Sequence, residues 1–288
     1  MMRRLKYNEI DFDKYTQCLE NSEQRNWYAK KEVLDQLSGN WEIIIYGDYE
    51  AVLPVPLRKK FGITFVIMPL FCQQLGIFSQ KDNVKINDQF LKFLKRKYKV
   101  FSYSFNHQNS LSEILVKKKN YIIPISDYPT LRRKKYFKGR KSTAKCAQHL
   151  HYRQIELNSE HITFIENNFK GITKQTDINR FRNYMNFLRQ NNALELCAAY
   201  LEEKLINVAV LVSENNQISL LGLINDEIYR NENGPSFLID KILSLYIHEK
   251  QFNFMGSNIR GIEVFFKSFG GELQEYSYYE NKMLKKFF

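Results

Sequence analysis

The stretch LELCAAYLEEKLINVAVLVSENNQISLLGLI, residues 194–224, decides the fold class of this 288-residue chain. It contains three apolar runs, Leu194–Tyr200, Leu205–Val212 and Ile218–Ile224, and a short polar segment separates each run from the next. Apolar runs of this length between polar turns are typical of β-strands that are joined by hairpins. The stretch therefore predicts three successive antiparallel strands.

Helical patterns surround these strands in the C-terminal half. Apolar residues recur at helical spacing on both sides of the stretch, and Gly234-Pro235-Ser236 marks the start of one helix. The predicted order is a strand at 152–157, helices at 161–169 and 178–190, the three strands, a helix from Gly234 to about Lys250, a strand at 252–255, a helix at 260–269 and a strand at 272–279.

The N-terminal half repeats this order about 150 residues earlier, an offset that is the size of one domain. The predicted elements are helices at 11–20 and 27–37, strands at 41–46, 51–57 and 63–68, a helix at 84–98, and short strands at 100–105 and 121–125. We therefore predict an α/β protein with mixed sheets in two domains, residues 1–127 and 151–288, joined by a basic helical connection at 128–150. The alternative is a chance match between two strand-rich halves.

Charge is distributed unevenly between the two halves. The chain has 43 lysines and arginines against 31 acidic residues, which gives a formal charge of +12. Residues 1–150 contain 28 of the basic residues and 14 of the acidic ones, so this half carries the whole positive excess. Such a field attracts polyanions, and it predicts a nucleic acid, a nucleotide-linked substrate or an acidic membrane surface as partner.

The densest basic segment lies between Arg132 and Lys145, where eight basic residues occur without an acidic one. One interpretation is a surface that binds the phosphates of tRNA or of a nucleotide-linked precursor, because lysine and arginine contacts to phosphate supply sequence-independent affinity. The other interpretation is the solvated face of a connecting helix. The candidate phosphate-binding residues are Arg132, Arg133, Lys134, Lys135, Lys138, Arg140 and Lys141.

The distribution of cysteine and histidine argues against a metal site. The four cysteines are dispersed and no two of them have the C-x-x-C spacing of a zinc cluster, so we expect reduced thiols and no metal. His149 and His151 are two residues apart but have no cysteine or acidic partner at ligand spacing. Reduced thiols are typical of a cytoplasmic protein, which is the compartment that we expect.

One uncharged stretch, Phe61–Gln80, is long enough to span a bilayer. Pro69, Gly76 and the polar pair Gln73-Gln74 interrupt it, so we interpret it as a buried strand and the turn that follows, without a transmembrane segment. The first residues of the chain are charged and contain no apolar core of a signal peptide, so we expect none.

The segment GSNIRGIEVFFKSFGG, residues 256–271, resembles the G-S-x-x-x-G-[IL]-x-x-F-[FYK]-x-x-F-G region of the FemAB/FemX-like aminoacyltransferases. Residues 54–57 (PVPL) and 73–78 (QQLGIF) are similar to further segments of that group. The group has two tandem GNAT-like acyltransferase domains and transfers an acyl or aminoacyl group from an activated donor to an amine. The resemblance implies that fold and an N-acyltransferase function for this chain.

The resemblance also implies the residues of an active site. Phe266 and Lys267 match a Phe-Lys pair near the transferred carbonyl, where the lysine would stabilise the developing oxyanion by roughly 3–4 kcal/mol. The donor would lie in the gap between the strand that ends near Ile224 and the strand at 252–255. The alternative for Lys267 is an exposed helix lysine. The residues expected to bind donor or substrate are Tyr229, Arg230, Gly234, Ser236, Ser257, Asn258 and Arg260, with Gln73 and Gln74 in the first half.

The coenzyme A signature of GNAT domains, [QR]-x-x-G-x-[GA], is incomplete in this chain. The spacing from Arg230 to Gly234 is one residue too long, and Phe78 replaces the small last residue of the pattern that begins at Gln73. FemX-like enzymes also lack a good loop for coenzyme A, because their donor is an aminoacyl-tRNA. The resemblance therefore implies aminoacyl-tRNA or acyl-CoA as co-substrate, no tightly bound cofactor, and a small or nucleotide-linked amine as acceptor.

Two other functions stay open at this point. One is an acyl-CoA-dependent GNAT N-acetyltransferase, and the other is a non-catalytic nucleic-acid-binding protein on a GNAT-like fold, whose basic half is the working surface. The general base is open among Asp226, Glu227, Tyr229 and His248, since a base must reach the attacking amine directly or through one water. The oligomeric state is open as well.

Overall fold

A computed structural model describes residues 1–256 and 258–284, and the chain forms two compact units. The first unit contains residues 1–118 and the part of the chain from Glu275 onward, and the second unit contains residues 119–274. These bounds differ from the predicted domains. Residues 119–150 belong to the second unit because their apolar side chains, Leu131 and Tyr136 among them, are buried in its core.

The described elements follow the predicted order closely. The strands are β1 (Met2–Leu5), β2 (Trp41–Tyr46), β3 (Ala51–Lys60), β4 (Ile63–Val66), β5 (Phe78–Ser79), β6 (Lys99–Val100), β7 (Ser102–Ser104), β8 (Val116–Ile123), β9 (His151–Ile155), β10 (Leu194–Leu201), β11 (Lys204–Ser213), β12 (Gln217–Asn225), β13 (Gln251–Asn253) and β14 (Glu272–Glu280). The helices are α1 (Phe12–Glu20), α2 (Lys31–Ser38), α3 (Val84–Lys97), α4 (Tyr128–Lys134), α5 (Lys138–Cys146), α6 (Ser159–Asn168), α7 (Gln175–Gln190), α8 (Gly234–Tyr246) and α9 (Arg260–Ser268). Short 3-10 turns lie at Tyr7–Glu9, Trp27–Ala29, Ala147–His149 and Glu227–Glu232.

The sheet of the first unit has the order β1-β2-β3-β4-β6, and β5 pairs with the start of β3. Neighbouring strands run antiparallel except β4 and β6, which pair in parallel through Phe65–Lys99 and Val66–Val100. Helices α1 and α2 contact β3, and the buried side chains Tyr15, Val33 and Leu34 belong to this contact layer. The last residues of β14 pair with β7 in the same unit.

The sheet of the second unit contains the strands β8-β13-β12-β11-β10-β9 in that order. The stretch 194–224 forms β10, β11 and β12, which pair antiparallel as predicted. Strand β12 pairs in parallel with β13, and β13 pairs antiparallel with Ile122 and Ile123 of β8. This mixed sheet, with a parallel pair at β12 and β13, positions the candidate site.

Helix α8 forms the centre of the second core. Its residues Phe237, Leu238, Ile239, Ile242 and Leu243 are all buried, as expected for a helix that is apolar on most of its surface. It contacts β10, β11 and β12, and it also contacts α5 from the basic segment. The segment predicted as a connection between domains is therefore a covering layer of the second unit.

No helix in the described part of the chain is long and apolar enough to cross a membrane. The uncharged stretch Phe61–Gln80 contains strand β4 and the two-residue strand β5.

Candidate functional site

The parallel strands β12 and β13 pair over three residues only. Their register is Gln217–Gln251, Ile218–Phe252 and Ser219–Asn253. Strand β12 continues to Asn225, whereas β13 ends at Asn253, where the chain turns through Met255 and Gly256 with φ values of 57° and 79°. The part of β12 beyond Ser219 therefore has no pairing with β13. This is the position at which the sequence predicts the donor gap.

A bulge deforms β12 at the start of the gap. Val210 of β11 lies opposite Gly222 and Leu211 lies opposite Leu220, so Leu221 is an extra residue in β12. A bulge of this kind bends its strand and increases the local twist, and it disrupts the ladder locally. The bulge therefore accompanies the separation of β12 from β13.

The start of α8 packs tightly onto the end of β12 and the start of β11. A Cβ atom at Gly234 would lie 1.6 Å from Oδ1 of Asn207, so any other residue here would force the Asn207 side chain to move. The side-chain amide of Asn207 donates to the carbonyl oxygen of Ile224 at 3.1 Å and to Oδ1 of Asn225 at 2.8 Å. Gly234 therefore has a packing role in the structure, next to its predicted role in donor binding.

The first turn of α8 has few backbone donors left for an anion. Pro235 has no N–H, and the N–H of Ser236 donates to the carbonyl oxygen of Asn233 at 3.0 Å. The Ser236 hydroxyl is buried and accepts a hydrogen bond from Nη1 of Arg140. A helix end that binds a pyrophosphate normally presents several unpaired N–H groups. The geometry at α8 therefore agrees with the incomplete coenzyme A signature.

Lys267 lies on α9 over strand β8. Its Nζ donates to Oε1 of Glu263 at 2.7 Å and lies 5.6 Å from the centroid of the Tyr121 ring. The Lys267 side chain is 43% exposed, so its ammonium is neither fully solvated nor buried. Strand β8 borders β13 on the edge opposite β12. The contacts of Lys267 are therefore on the far side of β13 from the donor gap.

Glu263 is the centre of this cluster. It accepts hydrogen bonds from the Tyr121 hydroxyl at 2.8 Å, from Nζ of Lys119 at 3.0 and 3.1 Å, and from Lys267. These donors lower the pKa of Glu263 to about 2, the hydrogen bond from Lys267 contributing most. Glu263 is therefore ionised at neutral pH and is too weak a base to remove a proton from an amine.

Phe266 packs into the aromatic core beside this cluster. Its ring stacks on Phe254 with the centroids 4.3 Å apart, and it lies 6.2 Å from the ring of Tyr121. Phe254 follows β13 directly, and its N–H donates to the carbonyl oxygen of Tyr121 at 2.9 Å. Phe266 is 6% exposed. Its position fixes α9, and with it Lys267, against β13 and β8.

Three further predicted residues, Ser257, Asn258 and Arg260, come shortly before or at the start of α9 in the sequence. Oδ1 of Asn258 accepts from the backbone N–H of Lys119 at 3.4 Å, which ties the loop to β8. Arg260 is the first residue of α9, and residues 260–262 are all exposed. The first N–H groups of a helix have no intrahelical partner and favour anions. Ser257, which the sequence also assigns to this site, lies outside the described residues.

The candidate general bases do not lie together. Asp226 accepts from the N–H of Ile228 at 3.0 Å, and Glu227 is paired with Lys170 at 2.8 Å, which lowers the pKa of Glu227. Tyr229 packs against the core, and Arg230 beside it is exposed. These residues precede α8, whereas His248 follows its end and lies 3.2 Å from Glu249. A helix of 13 residues, about 20 Å long, thus separates His248 from the others.

Gln73 and Gln74 of the first unit hold a loop. Gln74 is 6% exposed, and its Oε1 accepts from the N–H of His107 at 2.8 Å. Its amide donates to Oε1 of Gln73 at 3.2 Å. Gly76 after them has a φ of 107°, and a Cβ there would lie 2.3 Å from Oδ1 of Asn109. The contacts of Gln74 are those of a residue that stabilises its own loop.

The basic segment has an inner and an outer set of side chains. Arg140 donates through Nε to Ser268 at 2.8 Å and lies over the rings of Phe265 and Phe269, and burial lowers its pKa. Nε of Arg132 lies 3.7 Å from Oδ1 of the buried Asp240. Lys141 is half-buried and donates to the backbone of Arg133. The outer set, which is exposed, consists of Arg133, Lys134, Lys135 and Lys138.

Sequence reasoning missed the partners of Lys267. Glu263 is four residues before Lys267 on one helix, and this spacing is a recognisable signal for an ion pair. Lys119 and Tyr121 come from a strand more than 140 residues away, and no local pattern indicates that they join. Among the described residues, no group of three or more His, Cys, Asp or Glu side chains is placed to hold a metal ion.

Comparison with known proteins gives structural matches only. No protein-family model matches the chain, and no curated protein matches its sequence. A crystal structure of FemX superposes with a TM-score of 0.65 at 11% identity and covers 99% of each chain. A tandem GNAT protein from the clavulanic acid biosynthesis pathway superposes with a TM-score of 0.53 at 9% identity, over 96% of this chain and 97% of the other. The L-PGS of Bacillus licheniformis has a TM-score of 0.50 at 12% identity, over 96% of this chain and 93% of the other. The predicted fold is thereby confirmed: the chain has the tandem GNAT fold of FemX.

Proposed function

We propose that the chain is an N-acyltransferase whose second unit catalyses the transfer of an acyl or aminoacyl group from an activated ester or thioester to an amine. The observation that carries this proposal is the separation of the parallel strands β12 and β13 after three paired residues; helix α9 with Phe266 and Lys267 packs on the other side of β13. The tandem GNAT fold supports it, since known proteins of this fold carry out acyl transfer.

The chemistry needs stabilisation of negative charge on the carbonyl oxygen. The amine attacks the donor carbonyl and the oxygen becomes an oxyanion. As the amide forms, the acyl C–O or C–S bond breaks, and the leaving oxygen or sulfur takes up the proton that the amine loses. The ammonium of Lys267 is the donor that we assign to this charge, and the reacting carbonyl is accordingly placed on the β8 side of β13. One such donor contributes about 3–4 kcal/mol to transition-state stabilisation.

Glu263 is a positioning residue in this proposal. Its carboxylate holds Lys267 and Lys119 on one side of α9 and β8. A fully neutralised lysine polarises a carbonyl poorly, but one carboxylate shared between two lysines leaves the cluster with a net positive charge. The cluster therefore favours a ligand with developing negative charge.

We propose aminoacyl-tRNA as the donor, in preference to acyl-CoA. The first turn of α8 lacks the free donors that a pyrophosphate needs, because Pro235 has no N–H and Ser236 is bonded within the chain. The outer set of the basic segment supplies exposed cations for a phosphate backbone. The exposed first turn of α9 with Arg260 supplies a further anion contact. The acceptor that fits this chemistry is a small or nucleotide-linked amine.

The direct test is a transfer assay with purified protein. Aminoacyl-tRNA and acetyl-CoA with labelled acyl groups are offered with primary-amine acceptors, among them a nucleotide-linked amine, and products are identified by mass spectrometry. We expect an amide product from the aminoacyl ester at a rate well above that from acetyl-CoA. An amide product from acetyl-CoA alone would support the acyl-CoA-dependent alternative and contradict the assigned donor.

A non-catalytic nucleic-acid-binding protein is the second candidate. The exposed outer set of the basic segment, with no acidic residue between Arg132 and Lys145, favours it. This candidate predicts RNA affinity that falls steeply with salt, together with no transfer from any donor. RNA affinity that does not change with salt would contradict the role of the basic segment in both candidates.

A further inference from the structure

The first unit contains a cavity of about 580 Å³ that the proposed reaction does not use. It lies at the parallel pair of β4 and β6, between the turn that joins β3 to β4 and the end of α3. Its lining residues all belong to the first unit. The volume is within the range of about 300–1,000 Å³ that is typical of small-molecule sites.

The wall of the cavity is apolar. Ile63 and Phe65 are two residues apart on β4 and therefore point to the same face, and Tyr279 completes this wall. Phe65 is 6% exposed, whereas Ile63 is 41% exposed and Phe61 in the adjoining turn is 79% exposed. The apolar side chains thus become more exposed toward solvent. A long apolar group that enters from solvent would cover them in turn.

Cations surround this wall. Lys60, Lys95 and Lys99 are lining residues, and none of the described lining residues is acidic. Nζ of Lys95 lies 4.7 Å from the centroid of the Tyr279 ring and is paired with Glu113, while Lys99 is exposed at the start of β6. The hydroxyl of Tyr98, also a lining residue, donates to Glu42 at 2.9 Å, so its ring presents carbon to the cavity.

We propose that this cavity binds an amphipathic anion, with a fatty-acyl-like chain on the wall of Ile63, Phe65 and Tyr279 and a carboxylate or phosphate head at Lys99. Each methylene group that the apolar wall buries is expected to raise the affinity about fourfold. The lysines select for negative charge, because a cationic head would be repelled by side chains of the same sign. This site is independent of the transfer reaction proposed for the second unit.

The test is titration calorimetry on the full chain with dodecanoate, dodecyl phosphate and dodecyltrimethylammonium, each below its micelle concentration. We expect one molecule of either anion to bind per chain and the cation to bind at least about tenfold more weakly. Comparison of the two anions distinguishes a carboxylate from a phosphate head. If neither anion binds, or if the cation binds as tightly as both anions, the proposal is wrong.

Two exposed substitutions locate the binding. Lys99→Glu reverses the charge at the head and Ile63→Glu puts a charge on the wall, and each is expected to weaken binding by about tenfold or more. The controls are Lys97→Glu and Ile114→Glu, which change exposed residues of the same types outside the lining and are expected to leave affinity unchanged. Unchanged affinity in both Lys99→Glu and Ile63→Glu would overturn the assignment.

Discussion

A single carboxylate, that of Glu263, connects strand β8 with helix α9, which carries the proposed catalytic lysine. It receives hydrogen bonds from Tyr121 and Lys119 on β8 and from Lys267 on its own helix. The side chain is 15% exposed, so these bonds are shielded from most of the solvent. The position of Lys267 therefore depends on the ionisation of Glu263.

Replacement of Glu263 by Gln should make stability depend less on pH. The folded pKa of about 2 lies below the ordinary value of 4.5, so the ionised carboxylate stabilises the fold at neutral pH, and this contribution is lost as pH falls from about 5 toward 2. We expect the melting temperature of the wild type to exceed that of Glu263→Gln at pH 7 and the two to converge near pH 2. Glu203→Gln, at a carboxylate that is 83% exposed, is the control. A difference that stays constant with pH contradicts the assigned ionisation.

A second prediction at the scale of one residue concerns the effect of Gly234→Ala on stability. An alanine methyl there would overlap Oδ1 of Asn207, so Gly234→Ala should lower the free energy of unfolding by about 1–3 kcal/mol. Gly139→Ala is the matched control, because nothing lies within 4 Å of its Cβ position and alanine favours the helical conformation in α5 by about 0.5–1 kcal/mol. Urea denaturation measures both. Equal stability of the two variants would mean that α8 does not pack on Asn207 as described.

At the scale of elements, the helices, the strands and the pairing of strands joined by hairpins could be predicted, whereas contacts between distant elements could not. The spacing of apolar residues in 138–146 does not indicate which face of this helix is buried. The eight basic residues between Arg132 and Lys145 indicate a surface in contact with solvent. The structure shows α5 attached to α8 and α9, since Arg140 contacts Ser236 and Ser268, which lie 96 and 128 residues away in the chain. Local spacing encodes the helix, but only tertiary packing selects which arginine turns inward.

The prediction at this scale concerns the contribution of the outer set of the basic segment to RNA binding. Replacement of Arg133, Lys134, Lys135 and Lys138 together by alanine should weaken RNA binding and reduce its dependence on salt. Each lost phosphate contact lowers the slope of log affinity against log salt by about 0.7 for single-stranded nucleic acid. Fluorescence anisotropy at several salt concentrations measures the slope. The exposed pair Lys174→Ala and Lys204→Ala is the control, and an unchanged slope in the fourfold variant would exclude this surface.

At the scale of the whole molecule, the sequence shows the repeated order of elements, and the structural matches confirm it. The boundaries of the units could not be predicted, because strands β8 and β14 each contain residues of both units. The pattern of a strand does not indicate which distant strand it pairs with, and β13 pairs with residues about 130 positions earlier in the chain. The GSNIRGIEVFFKSFGG segment indicated the candidate site through resemblance, whereas the contacts of Lys119 and Tyr121 with Glu263 required the fold.

The measurement that tests the central claim most directly is the single-turnover rate of aminoacyl transfer by Lys267→Ala. The chain is expected to transfer the aminoacyl group to an amine, and loss of the ammonium should lower the rate by about 10²–10³. Lys267→Arg should keep part of the activity, and Lys204→Ala, in the β10–β11 hairpin, should keep all of it. A Lys267→Ala variant that transfers as fast as the wild type would contradict the assignment of catalysis to this cluster.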